Sequence, residues 1–155
     1  MAITPRNCKI PTTSNVDEDN SDRLSSFPEH IIHHIFSFLD TVHVVRSSSV
    51  SRKWRYFLVS MPHLNFNINT FWSLLGEQWS IETTIKKFKD FVDGVLLSQN
   101  CSVDIQNFGL YYLKVRDDNT IYRWMNVMAR RNVQQLDLSL LSHTPMELPL
   151  RLLAL

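Results

Sequence analysis

The chain has 155 residues, enough for one modest domain or two small ones, and its 44% hydrophobic and 11% aromatic content exclude global disorder. Sixteen basic residues face fifteen acidic ones, so the net charge of +1 gives no whole-molecule field that favours nucleic acid or a membrane surface. Three glycines, Gly76, Gly94 and Gly109, stand far apart, so neither a dinucleotide fingerprint nor a phosphate-binding loop can be built from them.

Residues 1–21 carry Pro5, Pro11, several Ser, Thr and Asn, and the acidic run Asp17-Glu18-Asp19. They have no apolar period and read as a disordered leader whose acidic run is solvated. The leader has no apolar signal core. Order is expected from Asp22. Ser26-Phe27-Pro28-Glu29 has the spacing of a capping box, with a proline in the first turn where its missing N–H costs nothing. Ile31, Ile32, Ile35, Phe36, Phe38 and Leu39 then recur at helical spacing. Their arc is wider than one contact surface needs, so the helix is expected to pack on two sides. Asp40 or Thr41 can cap a second short helix carrying Val42, Val44 and Val45, which the run Ser47-Ser48-Ser49 should break. Ser49 can cap a third, with Val50, Trp54, Phe57 and Leu58 inward and Arg52, Lys53 and Arg55 outward. Met61-Pro62 ends it, because the residue before proline is pushed out of the α region.

Phe66 and Ile68 alternate with asparagines and suggest a short strand, and Thr70 to Trp79 reads as a loop anchored by Phe71, Trp72 and Trp79. Ser80 opens the clearest helix. Ile81, Ile85, Phe88, Val92 and Val95 line one face, Lys86, Lys87, Lys89, Asp90 and Asp93 the other, and Asn100 can stop it in a left-handed cap. Val103, Ile105, Phe108 and Leu110 suggest a strand with an irregularity at Asn107. Asp118 caps a further helix with Ile121, Trp124, Met125 and Met128 on one face, and Arg130 and Arg131 suit its C-terminal dipole. Asn132 is a natural C-cap, and Val133 to Leu138 alternates as a strand.

The first forty or so residues of the ordered part contain more apolar faces than so small a unit can bury alone, which points to docking rather than chemistry. Asp22-Arg23-Leu24-Ser25, Phe27-Pro28-Glu29, Ile35-Phe36-Ser37-Phe38-Leu39, Val44-Val45-Arg46 and Val50-Ser51-Arg52-Lys53-Trp54-Arg55 together resemble an F-box. The stretches Phe88 to Leu97, Ile121 to Trp124 and Arg130 to Leu138 resemble the first units of plant F-box proteins with leucine-rich repeats. The resemblance implies an α+β chain. A leader at 1–21 precedes a three-helix F-box at 22–64. A linker at 65–80 then leads to helix/strand units of an incipient leucine-rich-repeat solenoid at 81–155.

It further implies a substrate receptor of a Skp–cullin–F-box ubiquitin-protein ligase. Such a receptor performs no chemistry: the box binds a Skp-type adaptor, the adaptor links to a cullin–RING ligase, and the repeats hold a protein substrate. Carried onto this chain, the adaptor-facing or box-forming residues are Leu24, Phe27, Pro28, Ile31, Ile32, Ile35, Phe36, Leu39, Val45, Val50, Trp54 and Leu58. Phe27 departs from the pattern, since leucine usually precedes this proline, and overpacking of its pocket would cost about 1–3 kcal/mol. Val133-x-x-Leu136-x-Leu138 matches the strand part of a repeat, but Leu141 stands where an asparagine is usual. Only one or two repeat-like units are expected before residue 155, fewer than the three or so that normally stabilise a solenoid. A shortened product is therefore expected, one that could occupy the adaptor as a competitor without delivering substrate.

Other chemistries find little footing. His30, His33 and His34 have helical spacing but lack further ligands, so no metal is expected, and no nucleophile motif or cofactor signature appears. Arg52-Lys53-Trp54-Arg55 on a third short helix could imitate a small nucleic-acid-binding module, but its basic face is short. Two unrelated thiols, Cys8 and Cys101, fit a reducing compartment, cytoplasm or nucleus.

Overall fold

A computed structural model of the chain describes residues 26–49, 52–76, 78–113 and 118–141. Three short helices come first: α1 (Glu29–Ser37), α2 (Thr41–Ser48) and α3 (Arg52–Val59). Strand–helix units follow: β1 (His63–Asn67), α4 (Ile68–Leu75), α5 (Ile81–Ser98), β2 (Asn107–Leu113), α6 (Asp118–Arg130) and β3 (Gln135–Leu141). The class is α+β with the helix–strand–helix–strand order expected after residue 80.

The three strands form one parallel sheet in the order β1-β2-β3. Parallel neighbours need long crossovers, and the helices supply them: α4 and α5 between β1 and β2, α6 between β2 and β3. The register sorts side chains by period two. Leu64, Phe108 and Leu136 form one lateral row and Phe66, Leu110 and Leu138 the next, all turned toward the core. The alternate rows are polar: His63, Asn107 and Gln135; then Asn65, Gly109 and Asp137; then Asn67, Tyr111 and Ser139. Under the apolar rows a chain of rings crosses the core, from Phe71 to Phe88 (centroids 5.4 Å apart), Phe88 to Tyr112 (5.7 Å) and Tyr112 to Trp124 (5.9 Å). Ile121, Trp124, Met125 and Met128, read as one helix face, are all buried there.

Local chemistry explains where the elements depart from expectation. Pro28 occupies the N-cap of α1 and no side chain caps that end, so the capping box does not form. Ser48 stays inside α2 because its hydroxyl donates to the Val45 carbonyl at 2.6 Å instead of competing for the backbone. The segment expected as a loop is α4, started by Asn67, whose side chain accepts from the backbone N–H groups of Asn69 (2.9 Å) and Thr70 (3.4 Å). Ile68 therefore belongs to a helix and not to the strand. Ser80 caps α5 through the Thr83 N–H at 3.2 Å, as expected. The left-handed residue is Asn132 (φ 50°), whereas α5 ends in an extended Gln99 (φ −66°, ψ 139°) and Asn100 makes no left-handed cap. Val103 and Ile105 precede β2, which begins at Asn107. The Gln106 and Asn107 N–H groups both donate to the Pro62 carbonyl there.

The helical segment is joined to the sheet by backbone. At the outer edge of β1 the Asn65 N–H donates to the hydroxyl of Thr41, which is fully buried at the start of α2, at 2.8 Å. The Asn65 side-chain amide donates to Asp40 Oδ1 at 2.9 Å. Gly109 on β2 leaves the room for this, since a Cβ there would lie 2.7 Å from Asn65 Oδ1. On the other side, the buried Gln99 donates through Nε2 to the Leu58 carbonyl at 2.6 Å, and the Asn100 N–H donates to Val59 O at 3.0 Å. These last carbonyls of α3 have no partner within their own helix, so the α5 terminus satisfies them.

Candidate protein-docking site

The wide apolar arc of α1 divides into two faces. Ile32 and Phe36, four residues apart, point inward and are each 1% exposed. Phe36 meets Trp54 edge-to-face with centroids 5.3 Å apart. Trp54, Leu58 and Val45 are half-buried and pack on the same core, and the Trp54 indole N–H is buried without a hydrogen-bond partner. The other face stays in solvent. Ile35 is 41% exposed, Phe27 is equally open, and Pro28, half-buried Ile31 and Leu39 complete the surface. Steps of four from Phe27 to Ile31 to Ile35 place these residues on one stripe.

Of the twelve carried-over residues, Phe27, Pro28, Ile31, Ile35 and Leu39 thus share an open stripe. Ile32, Phe36, Val45, Trp54 and Leu58 form the base that holds it. Leu24 and Val50 lie outside the described residues. Phe38 was absent from that set, yet at 75% exposure it is the most open apolar residue of the stripe. Its position three after Ile35 and seven after Ile31 is the signal that could have found it. Phe27 stands at the surface, so its size is met by whatever covers the stripe and not by the chain's own core.

α1 is clamped to the end of α3. The His33 ring lies 5.9 Å from Phe57, edge-to-face, and Ser60 Oγ sits 3.3 Å from both His33 Nε2 and Glu29 Oε1. Glu29 and His33 are themselves 3.7 Å apart, one turn along α1. Burial pushes the His33 imidazole below its usual value, outweighing the upward pull of Glu29 and of a hydrogen bond to the Phe57 backbone; nearby His63 adds to the downward push. His34 instead lies edge-on to Phe38 at 5.0 Å. The three clustered histidines thus have different neighbours, and among the described residues no group of three or more His, Cys, Asp or Glu side chains is placed to hold a metal ion. What the stripe offers chemically is apolar area on a rigid helix, suited to a groove of complementary shape.

The F-box domain family matches residues 24–65, from just before the stripe to the middle of β1. Two F-box/LRR-repeat proteins of Arabidopsis thaliana are similar to the chain. One is 36% identical over 119 residues, 77% of this chain and 30% of the relative. The other is 32% identical over 117 residues, 76% of this chain and 36% of the relative. An F-box protein of the same plant is 32% identical over 126 residues, 81% of this chain and 26% of the relative. The chain therefore spans about a quarter to a third of the length of the curated relatives it matches. No solved structure matches it.

Proposed function

From a chain that carries an F-box and is related to plant F-box/LRR-repeat proteins, we propose a substrate-receptor subunit of a Skp–cullin–F-box ubiquitin-protein ligase. Its role is to hold and not to transform. The stripe Phe27, Pro28, Ile31, Ile35, Phe38 and Leu39 enters a groove of a Skp-type adaptor, and the adaptor brings the cullin–RING assembly. The observation that carries this reading is the split of α1, with Ile32 and Phe36 at 1% exposure beneath Ile35 at 41% and Phe38 at 75%. A large exposed apolar stripe on a helix anchored by its opposite face is the anatomy of a helix-in-groove ligand. A protein substrate would bind through the strand–helix units, and a ligase of this kind acts in cytoplasm or nucleus.

The test is co-purification of the full chain with a Skp-type adaptor. Ile35→Asp and Phe38→Asp remove the docking face without entering the core. Each is expected to weaken binding by about 2 kcal/mol or more while leaving the melting temperature unchanged. Failure of the unaltered chain to bind, or equal binding by both variants, would overturn the proposal.

A further inference from the structure

A second apolar surface lies far along the chain from the α1 stripe. Between the last turns of α5 and the outer side of α6 runs a groove of about 560 Å³, whose walls include Leu96, Leu97, Trp124 and Val127. Leu97 is 86% exposed, more than any other large apolar side chain among the described residues. The groove's charge is one-sided. Asp93 is its only carboxylate, and both oxygens are taken: Oδ2 by Arg123 Nη2 and Oδ1 by the Trp124 indole N–H, each at 2.7 Å. This also corrects the reading of Asp93 as a merely solvated residue. Arg131 is buried in the wall, and its guanidinium donates to the carbonyls of Asn100 (2.6 Å) and Val103 (2.8 and 3.2 Å), which leave its charge uncompensated. Arg130 is exposed beside it with no carboxylate partner.

We propose that this groove docks an acidic amphipathic helix of another protein. Apolar side chains cover Leu96, Leu97 and Val127, and a flanking carboxylate pairs with Arg130. An excess of buried and rim guanidinium charge favours an anionic occupant, and the apolar lining favours burial of hydrocarbon. Because Leu97 stands proud of the cavity, a ligand sunk within it would leave that side chain wet. A helix lying along both elements covers it. The proposal is independent of adaptor binding by α1.

The test uses two labelled synthetic helical peptides of about four turns, with leucines along one stripe flanked by glutamates in one and lysines in the other. Their binding to the full chain is read by fluorescence anisotropy. The glutamate peptide is expected to bind at least about tenfold tighter than the lysine peptide. Leu97→Asp should weaken it about tenfold or more, and Arg130→Glu should reverse the order of the two peptides. Ile35→Asp on α1 should leave peptide affinity unchanged. Equal affinity for both peptides, indifference to Leu97→Asp, or loss on Ile35→Asp would each overturn the assignment.

Discussion

The helical segment α1–α3 and the sheet segment from β1 onward treat apolar residues in opposite ways. In the sheet, alternation is obeyed: Leu64, Phe66, Phe108 and Leu110 go inward, while Asn65, Asn107 and Asp137 face out. In α1, apolar residues occupy both faces, and only Ile32 and Phe36 find cover in the chain itself. The difference is one of function. A segment that only has to fold presents polar residues to water, whereas one that has to dock carries a surplus it cannot bury. The two regions are nevertheless one body, because Thr41, Asn65 and Gly109 on one side, and Leu58, Val59 and Gln99 on the other, tie them through backbone hydrogen bonds.

The sharpest break of this comparison sets the two faces of α1 against each other. Phe36→Ala should cost about 3–5 kcal/mol through its cavity, with a fall in melting temperature of roughly 2–4 °C per kcal/mol. Ile35→Ala should stay within about 0.5 kcal/mol while weakening adaptor binding. Equal thermal shifts for the two would erase the distinction between base and stripe. Trp54 sits on the base side, so Trp54→Ala should cost about 3–5 kcal/mol by chemical denaturation. Trp54→Phe should cost less than about 1.5 kcal/mol, because it keeps the ring contact with Phe36 and removes an orphan indole N–H.

The joint between the regions should show coupling. Gly109→Ala drives a methyl into Asn65 Oδ1 and displaces the amide from Asp40, at about 0.5–1.5 kcal/mol. In an Asn65→Ala background the same change should cost almost nothing. Additive effects in this double-mutant cycle would mean that Gly109 is not there for Asn65. The smallest effect concerns His33. Its folded-state value is lowered, so between that value and about 6.5 the unfolded chain binds more protons. Its contribution is therefore present above pH 6.5 and lost as pH falls through the unfolded and then the folded value. His33→Gln should flatten this part of the stability profile; an unchanged slope would reassign it to other groups.

Much of this was legible in the residues. Helical spacing located α1, α5 and α6, since Ile85, Phe88, Val92 and Val95 can share a face only in a helix. The box motif stood out because its apolar residues exceed what forty residues can cover. α4 was missed because its start depends on Asn67 capping two N–H groups, a local geometry that a lone asparagine does not announce. The role of Asp93 was missed for a related reason: its partners lie thirty residues away on α6.

The sequence by itself determined that α1 has apolar residues in excess and that strand–helix units follow it, because periodicity is a property of neighbours along the chain. Which apolar residues become core and which stay open was decided by the tertiary structure. Ile31 and Ile32 are chemically identical, and only the packing of α3 and β1 against one side of α1 separates a half-buried contact residue from a fully buried one. The groove between α5 and α6 is likewise a product of tertiary structure, since its charge imbalance arises from contacts between residues distant in sequence.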